Sequence, residues 1–281
     1  MNSYRIGHAV LLSTLTLSAS AQIRDVAVLH GATFQPGLPA RGSIASVFCK
    51  GLSVDGVVPA GKFPLPTELA GVRVKVGGTA APLMLVANGD GYQQINFQVP
   101  FSAGNIGAVD AEVTVEQGKD SSSVRAKFLE SPGEFFRLND TKLYPKDSGV
   151  FQHVDDYSVV RLARGAKSGE PLIAYMTGLG STTPLVAAGT AAPLMPPAAL
   201  VENSPYITNT LMVGGKPAKI LYIGLTPGLA GVYQINFVVP DLGPATYPVR
   251  LIRQSCAPIF SSCPNADSPK VESQPAMLVV N

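Results

Sequence analysis

The sequence predicts an all-β protein made of two tandem antiparallel β-sandwiches. A repeat predicts the two domains: the segment QINFQVP at residues 94–100 recurs as QINFVVP at residues 234–240. Short runs of alternating apolar and polar residues, separated by turns rich in the 28 glycines and 24 prolines, predict strands rather than helices. Because the repeat is far longer than a solenoid unit, we expect two globular domains, each with its own core.

The repeat extends upstream of these segments. Residues 42–52 align without a gap with residues 169–179, and both contain a turn glycine, an apolar run and a closing Gly-Leu. The alignment places Cys49 opposite Met176, so we expect a buried thiol on a core strand; a reactive or interchain role is the alternative. Extra residues in the second copy fall in a loop at 181–205, which either covers a sheet edge or binds a partner.

Alternation within the repeated segment defines two faces of a strand. Ile95 and Phe97 fall on one face, and Pro100 and Pro240 end the strand at the same point in both copies. The other face carries a row of amide side chains: Gln94, Asn96 and Gln98 in the first copy, and Gln234 and Asn236 in the second. We interpret these amides as a solvated sheet face or as inter-domain contacts. The alternative is a site for a sugar or a partner strand, although the chain has no Trp to stack on a sugar ring. Tyr144, Tyr157 and Tyr206, on predicted loops, are candidates for that stacking, but nothing in the sequence pairs them with the amides.

Alternation elsewhere predicts the remaining strands. The runs are residues 23–29, 72–76, 111–115, 124–129, 211–213, 247–253 and 277–280. The pairs at residues 77–78 and 214–215, both Gly-Gly, predict tight hairpin turns. The sequence NGDG at residues 88–91 is also interpreted as a hairpin turn, because it lacks the carboxylates that a calcium loop requires.

The N-terminal residues predict export. Arg5, an apolar run at residues 9–17 and the sequence ASA before Gln22 form the pattern of a cleaved secretory leader. The run is too short to span a bilayer, and Gln22 is not the cysteine of a lipoprotein. We therefore expect a periplasmic or extracellular protein with no membrane span after removal of the leader. The predicted division is a leader at 1–21, a first domain at 22–131, an inter-domain segment partly packed on the second domain at 132–166, and a second domain at 167–281.

The charge balance argues against a nucleic-acid partner. Charged residues make up 14% of the chain, the formal net charge is +2, and no basic cluster stands out. Strong electrostatic binding to nucleic acid or to an anionic membrane needs such a cluster.

One pair of cysteines is a disulfide candidate. Cys256 and Cys263 lie in the connection between the last two predicted strands, where oxidation outside the cytoplasm would close a short loop. Such a bridge contributes about 2 to 3 kcal/mol in the chain-entropy model.

Few residues suit catalysis. The predicted mature chain contains two histidines, His30 and His153, and only His153 has carboxylates beside it, Asp155 and Asp156. We interpret these three residues as a solvated loop between the domains; a metal or catalytic role is the alternative. The sequence has no nucleophile elbow, Walker loop or dinucleotide fingerprint. We expect no catalytic residue, cofactor or metal.

Several of these segments together resemble a known family. They are GATFQPG at 31–37, the strand at 42–52, PLPT at 64–67, YMTGLG at 175–180 and the two QINFxVP segments. In this order, they are similar to the Solibacter-type uncharacterised C-terminal domain family of secreted bacterial proteins. The resemblance implies paired immunoglobulin-like domains of the IPT/TIG type and export. It implies no known activity and no catalytic residue.

These observations predict a secreted, non-catalytic binding or structural module at the cell surface or in the periplasm. Its expected partner is an unidentified protein or a polysaccharide. The first alternative is a carbohydrate-binding or enzyme-accessory module that uses the amide rows. The second is a hydrolase that uses His153, Asp155 and Asp156.

Overall fold

The computed structural model describes residues 22–89, 91–104, 107–200, 207–255 and 268–281. These residues form strands, turns and loops, and none of them lies in a helix. This part of the chain therefore offers no helix that is long and apolar enough to cross a membrane. The predicted leader and the cysteine pair Cys256 and Cys263 lie outside the described residues.

The first unit is a sandwich of two antiparallel sheets. Its strands are β1 Arg24–His30, β2 Ile44–Lys50, β3 Val57–Pro59, β4 Val72–Val76, β5 Thr79–Ala80, β6 Leu83–Asn88, β7 Gln93–Gln98, β8 Asp110–Gln117 and β9 Asp120–Lys127. One sheet has the order β1-β2-β7-β6-β3, and the other has the order β5-β4-β8-β9. This is the immunoglobulin arrangement: β1, β2, β7 and β6 correspond to strands A, B, E and D, and β5, β4, β8 and β9 correspond to C′, C, F and G. The short strand β3 is added at the edge of the first sheet.

The second unit repeats that arrangement. Its strands are β10 Glu134–Phe135, β11 Arg137–Leu138, β12 Ser148–Gly149, β13 Phe151–His153, β14 Pro171–Thr177, β15 Thr182–Thr183, β16 Ala199–Leu200, β17 Ile207–Val213, β18 Lys216–Leu225, β19 Tyr233–Val238, β20 Ala245–Ser255, β21 Lys270–Glu272 and β22 Ala276–Val280. In one sheet β13, β14, β19 and β18 are neighbours; in the other, β18, β17, β20 and β22 are. The long strand β18 passes from one sheet to the other, so it supplies both C′ and D. The predicted pair of tandem immunoglobulin-like β-sandwiches is confirmed.

The register of the central strands matches the repeat. Val47 of β2 lies opposite Ile95 of β7, and Ala174 of β14 lies opposite Ile235 of β19. The gap-free alignment of the sequence pairs the same residues. The hairpins also match, because each Gly-Gly pair joins its strands with two positive φ angles.

The duplication includes the first strand of each unit, which the sequence analysis did not detect. β1 ends at His30, opposite Ala45, and β13 ends at His153, opposite Leu172. Each histidine carbonyl accepts a hydrogen bond from the N–H four residues later. The expectation that His153 belongs to a solvated loop is therefore wrong: it ends a core strand and is only 2% exposed. The two acidic residues of that segment, Asp155 and Asp156, are exposed as expected.

Each unit has its own hydrophobic core. The first contains Cys49, which is buried as the alignment predicted, and the inward face of β7. The second contains the inward face of β19 together with Phe135, Phe151 and Val160. These three residues come from the segment that sequence analysis placed between the domains.

Hydrogen bonds join the two units directly. The buried side chain of Gln98 donates from Nε2 to the Gly42 carbonyl oxygen (2.9 Å) and accepts at Oε1 from the Gly189 N–H (2.6 Å). The Ile44 N–H donates to Oγ1 of Thr177 (2.9 Å), which is also buried. We call this contact region the joint. The sequence analysis interpreted the amide row as either a solvated sheet face or inter-domain contacts. Gln98 makes an inter-domain contact.

The loop at residues 181–205 is described up to residue 200. Within it, β15 pairs with β16, and β16 pairs with β18 at Ala199 opposite Gly224. This pairing extends the sheet at the edge of β18, which agrees with the predicted covering role. The same loop exposes three large apolar side chains: Leu185, Leu194 and Met195.

Candidate functional site

The outer face of the first sheet carries linked polar side chains. Nε2 of Gln94 donates to Oδ1 of Asn96 (2.8 Å), and the Ser46 hydroxyl donates to the same oxygen (2.8 Å). Both amide residues are half-buried. Among the described residues, Oε1 of Gln94 and Nδ2 of Asn96 make no hydrogen bond, so one acceptor and one donor stay available.

Three aromatic rings border these amides. Phe48 lies opposite Gln94 in the sheet, and its ring packs against Tyr92 (5.4 Å between centroids) and Phe34 (6.2 Å). Phe34 and Tyr92 are each nearly half exposed. We call Phe34, Phe48, Tyr92, Gln94 and Asn96 the first face.

The second unit has the same arrangement at equivalent positions. Tyr175 lies opposite Gln234, as Phe48 lies opposite Gln94. Nε2 of Gln234 donates to Oδ1 of Asn236 (3.1 Å), and Tyr157 is 64% exposed. Burial raises the pKa of the Tyr175 phenol, and the nearby Tyr157 adds to the rise. The second face is therefore Tyr157, Tyr175, Gln234 and Asn236.

The equivalence of the two faces extends to the backbone. Phe34 and Tyr157 both have positive φ angles, 55° and 56°, in turns that follow the first strand of their units. Such a conformation is unfavourable for a bulky residue, so its occurrence in both units indicates a turn that places an aromatic ring beside the sheet.

Sequence reasoning found the amides and kept Tyr157 as a candidate, but it missed Phe34, Phe48 and Tyr92. The candidate Tyr206 lies outside the described residues. Tyr92 lies two residues before Gln94, and side chains two residues apart on a strand point to the same face of the sheet. The sequence therefore already indicated that Tyr92 lies beside the amides. The position of Phe48 depends on the pairing of β2 with β7, which alternation alone does not give. Tyr157 was assigned to a loop, and nothing in the sequence linked that loop to the amides of β19.

A second cluster lies at the start of β14, at the end opposite the joint. Nδ1 of His153 lies 2.5 Å from Oε1 of Glu170, and the other oxygen of Glu170 accepts from the Lys167 N–H (2.8 Å). One ligand atom each from His153, Asp155 and Glu170 lies within 4.8 Å of the others. These side chains line a cleft of about 310 Å³.

The structure divides the predicted acidic pair. Asp155 belongs to the cluster and also pairs with Arg164 (3.2 Å). Asp156 is held by Arg164 and by the Ser158 N–H, and these contacts lower the pKa of its carboxyl group. Glu170, which sequence analysis missed, takes the place beside His153. It lies seventeen residues away in the chain, so local spacing gave no signal.

The first unit has a different environment around the equivalent histidine. Nδ1 of His30 accepts from the Ala32 N–H (3.1 Å), and Ser43 occupies the position equivalent to Glu170. Burial and the nearby Arg137 lower the pKa of His30 to about 4. This histidine is part of the joint, because it lines one small cavity together with Ser43 of its own unit and Gly178 of the second unit.

Comparisons with known proteins give structural similarity only. No family model matches, and no curated protein matches. The D0-D1 domain of intimin aligns at 9% identity and a TM-score of 0.22, covering 90% of this chain and 97% of that one. The Ig1-2 module of the Drosophila receptor tyrosine phosphatase DLAR aligns at 11% identity and a TM-score of 0.20, covering 92% of this chain and 98% of that one. An endo-fucoidan hydrolase of glycoside hydrolase family 107 aligns at 13% identity and a TM-score of 0.17, covering 87% of this chain and 28% of that one.

Proposed function

We propose that this protein is a non-catalytic binding module that acts outside the cytoplasm, and that its two faces bind carbohydrate. The observation that carries the proposal is the duplicated pairing of aromatic rings with half-buried amides. Aromatic rings and amides occur at four equivalent positions of the two units, whereas Val232 takes the place of Tyr92 in the second. Export is part of the proposal and is supported by the leader pattern before Gln22.

The chemistry of the faces suits a sugar. An aromatic ring offers an apolar surface to the C–H groups of a pyranose, and a free amide donor and acceptor suit its hydroxyl groups. A partner strand would instead need the unpaired backbone of an edge strand. The amides lie on β7 and β19, which are paired on both sides. Their position therefore favours a ligand that is bound by side chains.

The joint supports binding of an extended ligand. Because Gln98 and Thr177 connect the two units through buried hydrogen bonds, the two faces are held in a fixed relationship. A fixed relationship lowers the entropy cost of binding one chain at two places. The joint also supports the plainer role of a structural spacer, which is the second candidate function.

Polysaccharide binding tests the proposal. Affinity electrophoresis against a panel of bacterial and plant polysaccharides should reveal retardation of the wild-type protein. The combined variant Gln94→Ala, Asn96→Ala, Gln234→Ala and Asn236→Ala should migrate freely. The control variant Ser121→Ala with Ser123→Ala changes exposed hydroxyls on β9, in the other sheet, and should bind as the wild type does. Equal retardation of all three proteins would contradict the proposed surface.

A hydrolase remains the alternative that uses the cluster at His153. The structure brings Asp155 to this histidine but pairs Asp156 with Arg164, so the predicted triad is altered. A broad hydrolase screen tests this alternative. Activity that is lost in His153→Ala would favour it over a binding module, whereas activity that survives would rule out this site.

A further inference from the structure

The cluster of His153, Asp155 and Glu170 contains the side-chain types that bind divalent transition metals. Imidazole nitrogen and carboxylate oxygen are ligands for Zn²⁺, and three protein ligands with an open position are a common arrangement. The side chain of His153 is 2% exposed, that of Glu170 is 21% exposed and that of Asp155 is 67% exposed. The ligands therefore range from a buried imidazole to a carboxylate at the solvent-facing side of the cleft.

Only one nitrogen of the His153 imidazole, Nδ1, has a hydrogen-bond partner among the described residues. Its Nε2 atom is buried and makes no hydrogen bond within the part of the chain that the structure describes. In proteins the tautomer of a histidine is set by the hydrogen bond of its second nitrogen. Without that bond, Nδ1 can either donate to Glu170 or present a lone pair to a cation.

A comparison of the two units gives an independent indication. The histidine is present at the same structural position in both, but the positions of Asp155 and Glu170 are occupied in the first unit by Ala32 and Ser43. The first histidine is enclosed in the joint, whereas the second opens to a cleft. Both carboxylates thus occur only in the unit whose histidine lines an open cleft.

We propose that His153, Asp155 and Glu170 bind a divalent transition-metal ion of the Zn²⁺ class. On binding, Nδ1 of His153 presents its lone pair to the ion, and the neutral imidazole carries its proton on Nε2. Asp155 turns from Arg164 to the ion, and Arg164 keeps its contacts with Asp156 and Ser158. Water from the cleft completes the coordination.

Calorimetric titration of the tag-free protein with Zn²⁺ tests the site. We expect one ion per chain. Asp155→Asn and Glu170→Gln should each weaken binding by about tenfold or more. Asp55→Asn is the control, because it removes an exposed carboxylate of the first unit, outside the cluster, and it should leave the affinity unchanged.

The two histidines provide an internal control in the same protein. In ¹⁵N spectra of the imidazole rings, Zn²⁺ should shift the nitrogen signals of His153 and leave those of His30 unchanged. Because this readout is taken in the wild-type protein, it does not depend on any variant folding. Absence of binding at millimolar Zn²⁺, equal affinity in Glu170→Gln, or a shift confined to His30 would overturn the proposal.

Discussion

The side chain of Gln98 and the backbone of Gly189 are joined by a buried hydrogen bond across the two units. The Gly189 N–H donates to Oε1 (2.6 Å), while Nε2 of the same side chain donates to the Gly42 carbonyl oxygen within its own unit. One amide thus pairs two backbone groups that would otherwise be buried without partners. The loop of the second unit is fixed to the first unit in this way.

Loss of the Gln98 amide should destabilise the joint. Gln98→Ala leaves the Gly189 N–H and the Gly42 carbonyl unpaired, and each such buried group costs about 1 to 3 kcal/mol. We expect a lower free energy of unfolding in urea. Gln94→Ala is the matched control on the same strand, because its amide bonds only to Asn96 at the surface. Equal losses in the two variants would contradict the structural role of Gln98.

A methyl group at Gly178 should also disturb the joint. A Cβ atom there would lie 2.6 Å from Oγ of the buried Ser43, and φ is +91°. Gly169 has a similar φ of +79° but open space around it. We expect both alanine variants to lose about 1 to 2 kcal/mol from backbone strain, and Gly178→Ala to lose a further 1 to 3 kcal/mol from overpacking. Thermal unfolding of the two variants measures the difference; equal melting temperatures would contradict it.

Acid should weaken the fold through His30. Burial, with Arg137, lowers its pKa from 6.5 to about 4, so below pH 6.5 the unfolded chain binds a proton that the folded chain does not. The associated loss of stability begins near pH 6.5 as the pH falls, is complete below about pH 4 and amounts to about 3 kcal/mol. Urea unfolding across this range measures it. His30→Asn keeps an acceptor for the Ala32 N–H but cannot titrate, so its curve should be flatter by that amount; identical pH dependence would exclude His30 as the cause.

The thiol of Cys49 should be inert in the folded protein. Burial raises its pKa to about 11, and the reactive thiolate is therefore scarce at neutral pH. Alkylation by iodoacetamide, followed by mass spectrometry of the peptide that contains Cys49, should be slow without denaturant and fast in urea. Rapid labelling of the native protein would instead support the alternative of a reactive thiol.

The repeat made most of the fold predictable. Aligned copies gave the strand faces, the hairpins and the burial of Cys49, because these follow from alternation and glycine placement within short segments. The first strand of the second unit escaped detection. The equivalence of β13 to β1 shows only in the pairing, because β13 pairs with β14 as β1 pairs with β2. The sequences of β1 and β13 share little beyond His30 and His153.

The candidate sites were less predictable because their residues meet across strands. Glu170 reaches His153 only through the pairing of β13 with β14, and Phe48 reaches Gln94 only through the pairing of β2 with β7. Such contacts are set by register, which composition does not reveal. Burial of Gln98 likewise depends on how the two units pack, whereas Gln94 and Asn96, on the same face of the strand, are only half-buried.

Binding stoichiometry tests the central claim, that the duplicated faces are two equivalent carbohydrate sites. A short oligosaccharide of a retained polysaccharide, too small to bridge both faces, should bind by calorimetry with two molecules per chain. Gln94→Ala with Asn96→Ala should reduce this to one, and Gln234→Ala with Asn236→Ala should do the same. A wild-type ratio of one, or a ratio that neither double variant changes, would contradict the account.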